Sequence, residues 1–194
     1  MVSKKAVTRY ILCVAAAFLA GCPTGHPSAQ ADAMDACEPS LTAEPSHRQV
    51  PAVIGDHLFR EMIGWIAMNT SYDLVVTYGD PPTVSFCTVG EIITYEQSEL
   101  LVDPILLAAF DREKRHIFLT HPWSPLNYFD QSVLLHELIH DVQLQNRDWD
   151  CTGAPELEAY RLQDKWLFEH NIMHRFDWAM ITRLSRCPDD SEAR

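Results

Sequence analysis

Positive charge is scarce in this chain of 194 residues: 15 Lys and Arg stand against 27 Asp and Glu, a formal net charge of −12. The shortage is uneven. Lys4, Lys5 and Arg9 fall within residues 1–21, which hold no acid, and the remainder carries 12 basic against 27 acidic residues, or −15. Nucleic acid is excluded as a partner, because phosphate binding needs clustered Lys and Arg; the acidic balance is that of a solvated surface. No glycine-rich phosphate loop and no G-x-S-x-G turn occurs, which removes the nucleotide and serine-nucleophile chemistries those motifs carry. No internal repeat is present, so a solenoid is excluded. What the chain does have is apolar mass: 47% hydrophobic residues, with five Trp and eight Phe, enough to build the core of one ordinary domain.

The first residues read as an export signal. A basic start is followed by an apolar run from Ile11 to Ala20, shorter than the roughly 20 residues that span a bilayer. The run ends in Leu19-Ala20-Gly21-Cys22, which resembles the lipobox of bacterial lipoproteins. The resemblance implies cleavage after residue 21, acylation of Cys22 and a lipid-anchored protein of the bacterial cell envelope. The alternative is an ordinary cut near Ala29-Gln30-Ala31 and a secreted product. Residues 22–51, rich in Pro, Ala, Ser and Thr, read as a tether, 52–188 as the folded domain and 189–194 as a tail.

With Cys13 in the signal and Cys22 the lipid candidate, Cys37, Cys87, Cys151 and Cys187 remain. Four cysteines in an oxidising compartment suggest two disulfides, with three pairings open and Cys151–Cys187 preferred. No two of them sit at the spacing of a cysteine-type zinc site.

Apolar periodicity predicts a helix over 53–69, with strands at 74–78 and 84–89. A hairpin follows, of 106–110 and 116–120. Further helices are expected over 129–145, from Pro155 to 169, and over 173–186. The fold class expected is α+β, with a small antiparallel sheet and several helices.

The second of these helices carries His136-Glu137-Leu138-Ile139-His140, an H-E-x-x-H pattern. Four residues advance a helix just over one turn, so both imidazoles stack on one face and can reach one ion. Zinc is the expected metal, since its catalytic sites use three protein ligands and leave the fourth position for water. Glu137, beside that stripe, is placed to take a proton from the zinc-bound water.

Residues 108–145 resemble the core of zincin metallopeptidases, in which a strand lies beside the cleft and precedes the H-E-x-x-H helix. Pro155-Glu156-Leu157-Glu158-Ala159-Tyr160 is similar to the glutamate-bearing helix of the gluzincin branch. The resemblance implies one Zn²⁺ held by His136, His140 and a glutamate, with Glu137 as catalytic base and a peptide or protein as substrate. Glu156 is favoured as third ligand over Glu158, which points to a different side of the helix. Gln143 and Asn146 stand where the metzincin branch needs Gly and His. The rival function is a non-catalytic, zinc-stabilised envelope lipoprotein that serves as a binding module. His116 and His121 read as ordinary hydrogen-bonded or surface residues, and Tyr128 and Tyr160 as core residues with a phenol able to reach an oxyanion. His170 and His174 mimic ligand spacing across a helix break at Asn171.

Overall fold

A computed structural model describes residues 54–188. The signal, Cys22, Cys37, the tether and the Asp189-Asp190 tail lie outside the described residues.

The order of elements is α1 (Asp56–Asn69), α2 (Val75–Gly79), β1 (Thr83–Cys87), β2 (Ile92–Tyr95), β3 (Ser98–Leu101), β4 (Ala108–Asp111), β5 (His116–Thr120), α3 (Tyr128–Asn146), α4 (Glu156–Glu169) and α5 (Trp178–Leu184). The class is α+β. The main sheet has the order β1-β5-β4. It is mixed rather than wholly antiparallel: β4 and β5 form the expected hairpin, but β1 runs parallel to β5, Val84 beside Ile117 and Phe86 beside Leu119. The parallel pairing arises because β1 reaches β5 through the β2–β3 hairpin and β4, a connection long enough to return the chain in the same direction.

Helix α3 is the centre of the molecule. The side chain of Asn127 caps its start by accepting from the Phe129 N–H at 2.9 Å. Residues 131–143 are all buried, because the sheet, α4, α1 and α2 pack around them. Val133, Leu134, Leu135, Leu138, Ile139 and Val142 supply the apolar share of the core, with Met62 and Ile66 of α1, Ile117 and Leu119 of β5, and Trp166 of α4. Seven polar residues are buried on the same helix: Gln131, Ser132, His136, Glu137, His140, Asp141 and Gln143. Burying a polar group without a partner costs on the order of 1–3 kcal/mol, so each of these demands an account.

Three local expectations are corrected. A turn of helix over 75–79 replaces the strand expected at 74–78. The β-branched run there reads as extended, but Asp73 Oδ1 accepts from the Val75 N–H at 2.9 Å, and Thr77 Oγ1 donates at 2.8 Å to the buried Asp141 carboxylate, which pins the turn. The β2–β3 hairpin was not anticipated. Its turn holds Glu96 and Gln97 at φ 43° and 62°, left-handed positions usually marked by Gly or Asn, so the sequence signal was missing. The last helix spans seven residues only, because Asn171 at φ 59° ends the preceding helix and Asp177 starts α5 by accepting from the Met180 N–H at 2.9 Å.

Cys151 and Cys187 form a disulfide with Cα atoms 5.5 Å apart, tying the α3–α4 loop to the segment after α5. Cys87 is buried and carries no disulfide among the described residues; Cys37, with which the second expected bridge would pair it, lies outside them. No helix of the described residues is long and apolar enough to cross a membrane.

Candidate metal centre

His136 and His140 stack one turn apart on α3, with Nε2 atoms 3.0 Å from each other. Glu156 reaches the same point from the first turn of α4, with Oε2 3.3 Å from His136 Nε2 and Oε1 3.4 Å from His140 Nε2. Pro155 makes this approach: held at φ −73°, it starts the helix directly before Glu156. Both histidine side chains are nearly closed to solvent, and that of Glu156 is about a third exposed. The three offer ligating atoms within 4.8 Å of one another, and among the described residues they form the group able to hold a metal ion.

The electrostatics follow from this crowding. Burial alone would lower the pKa of His140, but the Glu156 carboxylate, its hydrogen bond and the charge of Glu137 outweigh that and raise it to about 9. Glu156 is also pushed up by burial, yet the two imidazoles hold it far below the usual carboxylate range. Glu137 goes the other way: the residue is 4% exposed, and burial raises its pKa against the weaker pull of the two histidines.

Behind each imidazole stands a glutamine that sequence reasoning did not single out as part of the site. Gln163 Oε1 lies 3.1 Å from His136 Nδ1, and Gln143 Oε1 lies 3.0 Å from His140 Nδ1. Glu158 is turned away from the histidines, accepting from Gln143 Nε2 at 2.9 Å and from the Tyr72 hydroxyl at 2.6 Å. Burial, with the adjacent Glu158, pushes the Tyr72 phenol up to about 12, so it stays a donor. Two of these partners lie 20 or more positions from the motif, beyond the reach of local spacing.

The other acidic, histidine and tyrosine residues near the motif fall elsewhere. Asp141 is committed to Arg115, whose Nε and Nη2 donate to its two oxygens at 2.8 and 3.1 Å. Asp148 and Asp150 line the neighbouring cavity outside the triad. His116 sits between Thr83 and Ser85 hydroxyls at 2.6 and 2.7 Å, and His121 stacks on Phe86. His170 Nδ1 bonds to the Trp166 carbonyl at 2.8 Å, while the His174 ring meets Phe129 and Phe176. Tyr128 is half exposed against His170, not a core residue. Tyr160 is buried with its ring 4.5 Å from that of His136.

A cavity of about 800 Å³ opens beside the triad, lined by His136, Glu137, His140, Glu156, Tyr160 and the disulfide-bonded Cys151 among others. Its size is that of a small-ligand or peptide side-chain site. A family model described as a domain of unknown function (DUF6647) matches residues 51–192. The sequence matches no curated protein and no solved structure.

Proposed function

The chain belongs to the DUF6647 family, and we propose that it is a zinc-dependent hydrolase of peptide bonds, with His136, His140 and Glu156 as ligands and Glu137 as general base. One observation carries the reading: two imidazole nitrogens and a carboxylate from two helices converge in a buried place that borders a substrate-sized cavity. Two nitrogens and an oxygen are a known catalytic zinc donor set, and donors about 2.0–2.1 Å from a tetrahedral ion stand roughly 3.3 Å apart, which the 3.0, 3.3 and 3.4 Å separations approach. Structural zinc sites are closed by a fourth side chain; among the described residues none joins these three.

Zinc, when bound, supplies Lewis acidity and lowers the pKa of a coordinated water. The remaining work falls to the protein. Glu137 lines the cavity next to the triad and is more basic than a free glutamate, because burial disfavours its charged form. It takes the proton of the attacking water and returns it to the departing amine. Tyr160 packs its ring on His136 and lines the cavity, fixing the imidazole from the side. The lipobox-like stretch supports a bacterial envelope location with a lipid on Cys22, so the substrates are peptides or proteins of that compartment.

Cleavage of a peptide library by the zinc-loaded chain, compared with Glu137→Gln, tests the proposal. The wild type is expected to cleave, and the variant to keep its zinc while losing at least about 100-fold in rate. Undiminished cleavage in the variant, or an inert wild type with one zinc bound, contradicts it.

A further inference from the structure

The partners of the two glutamines behind the histidines fix which way each amide points. Gln143 Nε2 faces the Pro155 carbonyl at 3.1 Å and the Glu158 carboxylate at 2.9 Å, both acceptors. Its amide nitrogen must therefore point there, which turns its carbonyl oxygen towards His140 Nδ1. Gln163 Nε2 faces Ser132 Oγ at 3.1 Å. The Ser132 hydroxyl spends its own hydrogen on the Phe129 carbonyl at 2.7 Å, so its oxygen has to accept. Gln163 likewise presents its carbonyl to His136 Nδ1. Gln143, Gln163, Ser132 and both histidines are buried, with Gln143 and Ser132 wholly closed to solvent, so water offers the two amides no alternative partner.

A carbonyl oxygen only accepts, and each Nδ1 must carry the hydrogen. We propose that Gln143 and Gln163 are positioning residues that lock His140 and His136 in the Nδ1–H tautomer, leaving both Nε2 lone pairs aimed at the metal centre, and that Gln143 at the same time joins α3 to the first turn of α4 that delivers Glu156. The proposal rests on reading the triad as a zinc site, but the tautomer itself can be measured without the metal. Gln143 is the more telling of the pair. One amide orients a ligand on α3 through its oxygen and, through its nitrogen, holds the Pro155 carbonyl immediately before the ligand on α4. Gln163 touches one ligand, His136, and its nitrogen bonds Ser132 of the same helix.

The test uses the full chain in two measurements. Long-range ¹H–¹⁵N spectra of the imidazoles are recorded on the zinc-free wild type at about pH 10.5, above the range in which imidazole is charged. Both rings are expected as Nδ1–H tautomers; an Nε2–H tautomer on either ring overturns the proposal. Zinc affinity is then measured by chelator competition. Gln163→Leu and Gln143→Leu are each expected to weaken zinc binding by about 10–100-fold. Gln163→Glu, which still accepts from His136 Nδ1, restores most of the loss. Leucine variants that bind as tightly as the wild type overturn the proposal. If the wild type shows both Nδ1–H tautomers yet takes up no zinc, the lock stands and the zinc reading falls.

Discussion

Glu158 accepts a hydrogen bond from Gln143 Nε2 at 2.9 Å and another from the Tyr72 hydroxyl at 2.6 Å, and so faces away from the two histidines. Two residues earlier, Glu156 lies 3.3 and 3.4 Å from their Nε2 atoms. The division of labour between these carboxylates gives the first prediction. Glu156→Ala is expected to abolish zinc binding in a calorimetric titration. Glu158→Gln, which disturbs only a partner of a partner, is expected to cost no more than about tenfold in affinity. The reverse order of effects would reassign the third ligand.

Asp141 follows His140 directly but belongs to the scaffold. It is wholly buried, receives a two-pronged bond from Arg115 and a third from Thr77, and is not one of the three converging ligands. Asp141→Ala strands the partly buried Arg115, and denaturant unfolding should show a loss of about 3–5 kcal/mol. A variant within 1 kcal/mol of wild type would mean that solvent reaches the guanidinium freely.

The Cys151–Cys187 disulfide ties the loop that leads into Glu156 to the segment after α5, and Gly153 in that loop lies against the end of α5 at Leu184. A bridge closing a loop of sequence separation 36 is expected to stabilise by about 4 kcal/mol through the unfolded chain. A Cβ at Gly153 would run into the backbone carbonyl of Leu184, which cannot swing aside as a side chain tip does. Replacing both cysteines by serine should lower stability by about that amount, and Gly153→Ala by about 1–3 kcal/mol. Chemical denaturation of each, under oxidising conditions, checks both figures.

Asp111 closes the β4–β5 hairpin. Its carboxylate accepts from the Glu96, Glu113 and Lys114 N–H groups at 3.0–3.1 Å and pairs with the Lys114 ammonium at 3.5 Å. Burial raises its pKa, but these donors outweigh burial and the net shift is downward. A depressed folded pKa means that the charged form stabilises the fold above the unfolded value of about 3.9, and that this share disappears as pH falls through the folded value. Wild type should lose stability on acidification below about pH 4, and Asp111→Asn should flatten that part of the curve. Identical acid limbs in the two proteins would count against the hairpin role.

Much of the site was legible because its ligands obey local rules. The four-residue spacing of His136 and His140 is read directly once 128–146 is known to be helical, and Pro155 marks the start of the helix that brings Glu156. The disulfide between Cys151 and Cys187 was favoured for the same reason, as the bond that closes the loop after the motif helix. What escaped was set by tertiary contact. The turn at 75–79 overrides its β-branched composition through Thr77 and Asp141, which are 64 positions apart. The Glu96–Gln97 turn lacks the residues that announce a hairpin. Gln163 is 27 positions from the histidine it supports, and glutamine buried in a helix carries no signal until its partner is known.

The central claim is that His136, His140 and Glu156 grip one divalent cation. Metal content of the purified chain, measured by mass spectrometry after dialysis against a trace of zinc, tests it most directly. The account predicts one zinc per wild-type chain and none in His140→Ala. A folded wild type that emerges without zinc, or a His140→Ala protein that retains a full equivalent, contradicts it.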